Sequence, residues 1–261
     1  MSGRRVLAAA ALAVALPALA YVPNVSAILR RAAERRAALN LSALEAFGTL
    51  EVQGEAGTRL AEAMGLPPSS DGRLAIPARF AMKMPGRCRL ELTRPGLAAA
   101  DRPYVVVRDA RLTGRVLDGV PAAVALARSA CALLAHRGGP DADRSWAAAL
   151  ARRGVPLESS SLGRFEGRVA LVVGHPAAPA AAGASPDPKP AAYFDKETLQ
   201  PLRLVAAEGG AVLDTRLLGW GSAEGGDWFP KAVEVWAGEE LRARFATQKA
   251  TANPKLPDAA F

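Results

Sequence analysis

The chain holds two cysteines and two histidines, Cys88, Cys131, His136 and His175. Neither histidine stands at ligand-like spacing from the other or from a cysteine, so no metal site is expected. Ser159-Ser160-Ser161 has no histidine beside it, and no Gly-x-Ser-x-Gly elbow occurs. Gly219-Trp220-Gly221-Ser222-Ala223-Glu224-Gly225 approaches a dinucleotide-binding loop. Its third glycine falls one place late and strand-like sequence surrounds it, so a strand-edge turn is the reading. Aspartates and glutamates are dispersed. Without a nucleophile, base or metal set, neither an enzyme nor a cofactor is expected. A cleft that gathered carboxylates or His136 would overturn that.

The cysteines depend on compartment. The chain opens with basic MSGRR, apolar VLAAAALAVAL, then Pro17 and Ala18-Leu19-Ala20. That is the layout of a secretory signal peptide over residues 1–20, with a second cleavage pattern at Val25-Ser26-Ala27. The alternative is an uncleaved anchor, but Val6 to Val22 falls short of the ~20 residues of a comfortable span. No cysteine lies at the cleavage site, so acylation there is not expected. In an oxidising compartment Cys88 and Cys131 could pair, or both could be buried free thiols. The sequence leaves both open.

Charge excludes one class. The formal net charge is +8, or +6 without Arg4 and Arg5. The arginines are scattered through element-like segments instead of forming one run, unlike a nucleic-acid-binding tail, so no nucleic acid partner is expected. Half the residues are hydrophobic but only 5% are aromatic, so the core must rely on a few large side chains.

The elements follow from periodicity. Residues 28–46 predict a helix, 47–53 a strand and 65–73 a loop. Strands are expected at 79–92 (two), 104–107 and 111–117, the last two around Asp109. Helices are expected at 120–136, stopped by Gly138-Gly139, and at 141–153, with acidic residues first and Arg152-Arg153 last. Strands resume at 164–174, 192–194, 201–206, 211–220, 231–236 and 240–248. Residues 176–190 (PAAPAAAGASPDPKP) form a Pro/Ala-rich loop. With no βαβ rhythm, the fold class is α+β, a large curved antiparallel sheet with helices on one face.

The stretch RFAMKMPGRCRLEL (79–92) is the most constrained. Phe80, Met82 and Met84 alternate with Arg79, Ala81 and Lys83. Cys88, Leu90 and Leu92 alternate with Arg87, Arg89 and Glu91. Facing residues in a hairpin share a side of the sheet, so a two-residue loop would set every apolar residue against a polar one. A three-residue loop, Pro85-Gly86-Arg87, would instead oppose Met84 to Cys88, Met82 to Leu90 and Phe80 to Leu92. Methionines on such a face suit an adaptable apolar ligand, and equally suit a permanent core.

The order of these elements resembles the LolA/LolB-like fold of periplasmic lipoprotein carriers. Four stretches carry the likeness. They are the strand–Pro turn–strand at 80–92, YFDKETLQPLRLV (193–205), GGDWFPKAVEV (225–235) and the closing NPKLPDAAF (253–261). The resemblance covers roughly residues 28–261 and implies one domain, an unclosed β-barrel with helices over its concave face, a helical insert at 120–153 and the loop at 176–190. It implies a periplasmic, monomeric binder of lipoprotein acyl chains, working between an inner-membrane release complex and an outer-membrane acceptor. The ligand would lie on Phe80, Met82, Met84, Leu90, Leu92, Val233, Val235, Leu241 and Phe245, with helices 28–46 and 120–153 as the lid. One position departs from the family. Its carriers place a lid-latching arginine just before the turn proline, where this chain has Met84. The family also includes envelope-stress sensors that bind proteins, which is the alternative function.

Overall fold

The computed structural model describes residues 22–67, 69–94, 96–108, 111–175 and 189–261. The expected signal peptide, Asp109 and most of the Pro/Ala-rich loop lie outside the described residues.

Twelve antiparallel strands make one open sheet in the order β5-β4-β3-β2-β1-β12-β11-β10-β9-β8-β7-β6. After α1 (Val25–Ala37) come β1 (Ala43–Val52), α2 (Glu55–Ala63), β2 (Leu74–Lys83), β3 (Arg87–Leu92), β4 (Tyr104–Arg108) and β5 (Arg111–Arg115). Two helices follow, α3 (Pro121–Leu134) and α4 (Ala142–Arg152). The second run is β6 (Ser160–Phe165), β7 (Arg168–Gly174), β8 (Ala191–Asp195), β9 (Pro201–Glu208), β10 (Ala211–Leu218), β11 (Ala232–Ala237) and β12 (Glu240–Ala252). The sheet is thus two meanders joined where β1 pairs with β12. It does not close, because β5 and β6 stand at opposite edges.

That topology places the helices. The chain leaves β5 at one edge and must re-enter at β6 on the other. The connection runs through α3, which packs on β3, β4, β9, β10, β11 and β12, and then α4. Eleven of the fourteen residues of α3 are buried, among them Ala122, Leu126, Ala130 and Leu134. A helix apolar on nearly all sides belongs inside a protein, and its alanines let the backbone sit low on the sheet. α1 lies on α4. It is amphipathic, burying Val25, Ile28, Leu29, Ala32, Ala33 and Arg36. Asn24 caps it, its side chain accepting from the Ala27 amide at 2.8 Å.

Alternation divides the sheet into two faces. The helix-covered one carries the main core, including Leu44, Leu50, Ile76, Phe80, Leu90, Val105, Leu204, Val233 and Phe245. The outer face carries an ionic ladder in which Arg89 Nε meets Glu91 at 2.6 Å and Arg79 Nε meets Glu45 at 2.6 Å. The C-terminal segment clasps this outer face. Asp258 binds Lys83 and Arg87 at 2.8 and 2.6 Å, and Leu256 joins Ala43 and Ala81 in a small cluster with Phe261 beside it. Asn253 accepts from the Ser42 amide at 2.7 Å and donates to the Asn40 carbonyl at 3.0 Å.

Four expectations need correction. The helix expected over 28–46 ends at Ala37. Residues from Ala43 onward form strand, because β12 and β2 claim both edges of β1, with Leu44 opposite Ala252 and Met82, and this pairing overrides the helical preference of alanine and leucine. α2 was not anticipated. The strand expected over 164–174 is a hairpin, β6–β7, turning at Glu166 and Gly167, both with positive φ (51° and 76°) as a two-residue primed turn requires. Finally, the β2–β3 register is two residues away from the one expected. Phe80 faces Leu90 and Met82 faces Cys88, with Lys83 and Arg87 as the last pair. The loop has three residues, as parity demands, but they are Met84-Pro85-Gly86. Proline has no amide for the ladder, and Met84 turns its amide to the Ser42 carbonyl at 3.0 Å.

Candidate functional site

Eight of the nine residues expected to contact ligand lie buried on the covered face. Phe80, Met82, Leu90, Leu92, Val233, Val235 and Phe245 are fully enclosed, and Met84 is 5% exposed in the turn. Register aligns them across the sheet, since Val233 faces Phe245 and Phe245 faces Leu50. Leu241 does not join this group. It is half-buried at the end of the β11–β12 hairpin, beyond a register shift at Val235/Trp236.

Two large side chains escaped the sequence reading. Phe229, in the segment before β11, sits 5.8 Å from Phe80 and 6.0 Å from Phe245, ring centre to ring centre, completing an aromatic trio with the 6.3 Å Phe80–Phe245 pair. Thr247 holds the neighbouring Pro230 carbonyl at 2.8 Å, which fixes how Phe229 enters. Trp146 of α4 stacks against Phe194 at 5.3 Å and meets His136 edge-on at 5.1 Å. Phe229 was signalled by an aromatic just before a proline at a strand start. Trp146 was signalled as the one aromatic side chain on its helix.

Cys88 and Cys131 are bonded, with Cα atoms 5.9 Å apart, within the usual range for a disulfide. The bond ties α3 to β3. Two further links hold the same end of α3. The Gly86 amide donates to Ala135 O at 2.7 Å, and Arg36 Nε donates to Leu134 O at 3.2 Å. Helix C-terminal carbonyls need such outside donors. Arg36 also gives Nη1 to Trp228 O at 3.0 Å. It is wholly enclosed, with its pKa lowered to about 10 by desolvation. The turn position holds Met84, yet an arginine does bind helix and loop carbonyls here, reaching inward from α1. Arg87 and Arg89 point to the outer face, as their alternation predicts.

Deeper in the face the polar contact is small. Thr215 Oγ1 donates to Ser129 Oγ at 3.0 Å. His136 Nε2 lies 2.7 Å from Ala132 O and Nδ1 lies 3.1 Å from Ser145 Oγ. Facing a carbonyl, Nε2 carries the proton, so Nδ1 accepts from the serine. Burial, opposed by the hydrogen bond to Ala132 O and aided by the nearby charges of Arg36 and Arg152, lowers the His136 pKa to about 3. This histidine is neutral and structural. Among the described residues no group of three or more His, Cys, Asp or Glu could hold a metal ion.

The carrier-like stretches have plain structural roles. In YFDKETLQPLRLV, Asp195 Oδ1 accepts from the Glu197 and Thr198 amides at 3.0 and 2.7 Å, and so builds the β8–β9 turn.

No family model matches the sequence, and no curated protein matches it. Among solved structures, a LolA superfamily protein from Nitrosomonas europaea is similar at 9% identity and TM-score 0.44, covering 92% of this chain and 97% of that one. A DUF1329 family protein from Desulfovibrio piger is similar at 10% and 0.44, covering 92% and 98%. An outer membrane lipoprotein-sorting protein domain from Vibrio parahaemolyticus is similar at 11% and 0.43, covering 90% and 96%. The half-barrel assignment itself rests on the strand order and register of this chain.

Proposed function

We propose that this chain is a periplasmic, non-enzymatic protein that binds acyl chains, of lipoproteins or other lipids, on the helix-covered face. The observation that carries this reading is the make-up of that face. It is apolar across β1–β4 and β9–β12, contains three mutually touching phenylalanines and two flexible methionines, and is covered by helices instead of a second sheet. An acyl chain can replace helix contacts there with contacts of the same kind, each buried CH₂ contributing about 0.8 kcal/mol. Because α3 is bonded to β3 and packs on β3, β4 and β9–β12, it stays in place; the moving part is α1 with α4, and an acyl chain would enter beside α3 where those two helices lie. Delivery would run from a release complex in the inner membrane to an acceptor in the outer one, with the protein monomeric.

Protein purified from the envelope is extracted with organic solvent and the extract weighed by mass spectrometry, and the stripped protein is titrated with a fluorescent fatty acid. Co-purifying acyl species and saturable uptake are expected. Absence of both sinks the reading. A second reading has its own support. α3 already fills the face, leaving Phe80, Leu90 and Phe245 fully enclosed. In that reading the core is permanent and the fold serves as a protein-binding or stress-sensing module. An empty extract together with capture of a specific envelope protein would establish it.

A further inference from the structure

Beside the disulfide, α3, α4, β4 and the β2–β3 turn border an open cavity of about 230 Å³. Val107, Cys131 and Ala132 line one part of it and Arg128, Arg152 and Arg153 another; His136 also borders it, with both ring nitrogens taken by Ser145 and Ala132 and no carboxylate among the lining residues. Among the described residues one carboxylate, Glu208, serves two of these three guanidinium groups. Glu208 meets Arg128 Nη1 at 2.9 Å through Oε1 and Arg153 Nη1 at 2.7 Å through Oε2. Both of its oxygens are therefore taken, and two positive charges remain in excess. Arg153 is 7% exposed, and its Nε is enclosed without a hydrogen-bond partner. Arg152 is exposed at the rim and, among the described residues, pairs with no carboxylate.

We propose that this cavity binds an oxyanion, a carboxylate or phosphate, as the head of an amphiphile. Guanidinium groups match such anions with paired, planar hydrogen bonds, and Arg152, which pairs with no carboxylate among the described residues, has its donors free for one. The size fits a head and a few methylenes. It exceeds the ~150 Å³ cavity that holds benzene but lies below the ~300–1,000 Å³ of pockets that take whole ligands. The apolar wall beside the arginines gives the first carbons of the chain a surface to follow. The oxyanion site stands on the arginines alone, and only its assignment to an acylated ligand rests on the carrier reading.

The test titrates purified protein, stripped of bound lipid, with dodecanoate, dodecan-1-ol and inorganic phosphate, for wild type and Arg152→Glu. Arg152 is a rim residue, so thermal midpoints should agree. Dodecanoate is expected to bind at least tenfold more tightly than dodecan-1-ol, and Arg152→Glu to weaken dodecanoate at least tenfold while leaving the alcohol unchanged. Phosphate binding lost in Arg152→Glu, with no uptake of either acyl compound, would support the oxyanion site with a free anion as ligand and sink the carrier reading. Equal binding of acid and alcohol, untouched by Arg152→Glu, would overturn the oxyanion site and leave the carrier reading standing. No binding of any probe overturns both.

Discussion

Replacing both Cys88 and Cys131 with alanine, or reducing the bond, releases the end of α3 from β3. The bond spans 43 residues. A closed loop of that length removes about 13 cal/mol/K of unfolded-chain entropy, or about 4 kcal/mol at 25 °C. In a domain of this size each kcal/mol moves the melting midpoint by roughly 2–4 °C, so the midpoint should fall by about 8–16 °C. The two sulfurs are 0% and 4% exposed residues of the core, so alanine is preferred to serine, which would bury a hydroxyl. The measurement is a thermal melt followed by far-UV circular dichroism, for the oxidised protein, the same protein in reductant, and the double alanine variant. Reduced and oxidised samples share every heavy atom, which separates the cross-link from packing. A fall below about 3 °C in the reduced sample, with two thiols shown by alkylation, would refute the argument. So would two alkylatable thiols in protein taken directly from an oxidising compartment.

Three further outcomes follow from single side chains. Arg36→Met keeps much of the packing but removes two hydrogen bonds from a charged donor, each contributing about 1.5–3 kcal/mol, so the denaturation midpoint should drop. Arg36→Lys should fail to restore it, because a point charge cannot reproduce the fork that spans Leu134 O and Trp228 O. The His136 pKa of about 3 in the fold, against about 6.5 when unfolded, means the unfolded chain binds the extra proton between those values. Stability from this group is fully present well above pH 6.5 and is lost as pH falls, the slope steepening towards about 1.4 kcal/mol per unit; urea titrations at pH 7, 6 and 5 should show losses of about 0.7 and then about 1.2 kcal/mol, and His136→Gln should abolish them. Phe80→Ala should cost about 3–5 kcal/mol by urea denaturation, since the ring fills space between Phe229 and Phe245 that nothing nearby can close.

The sequence carried the covered face further than it carried the site's edges. Strict alternation from Phe80 to Leu92 set which side chains share a face and required an odd loop. It could not choose between registers two residues apart, because both keep every apolar residue inward. In the fold Lys83 and Arg87 are the last β2–β3 pair, and the Met84 amide extends the pairing with β1 to the Ser42 carbonyl, contacts made only in the folded chain. The end of α1 was illegible for a similar reason. Alanine and leucine at 43–46 favour helix locally, and only β12 and β2, far along the chain or across a loop, make them strand. Arg36 was hidden among five arginines between residues 30 and 59. Helical position alone does not reveal which of them meets two carbonyls in the core. The cysteine pair was visible as residues but not as a bond, since pairing depends on α3 lying across β3.

The arrangement of helices also decides which one can open. α3 is apolar nearly all round, with Ser129 paired to Thr215 and Cys131 bonded to Cys88, so lifting it would expose a surface with no polar side to turn toward water. α1 is different. Arg30, Arg31 and Arg35 already face solvent, and the buried stripe that would be uncovered is chiefly Val25, Ile28 and Leu29, at about 1.5–3 kcal/mol each. Opening also breaks the two hydrogen bonds from Arg36 to Leu134 O and Trp228 O, a cost offset in part because the guanidinium regains water. Local opening should therefore begin at α1, with α3 remaining until global unfolding. Native-state hydrogen exchange reads this directly. Amides of α1 should exchange through an opening well below the global unfolding free energy, and amides of α3 at or near it. Exchange of α3 ahead of α1 in the oxidised protein would refute this order, and with it any gating of the covered face by α1.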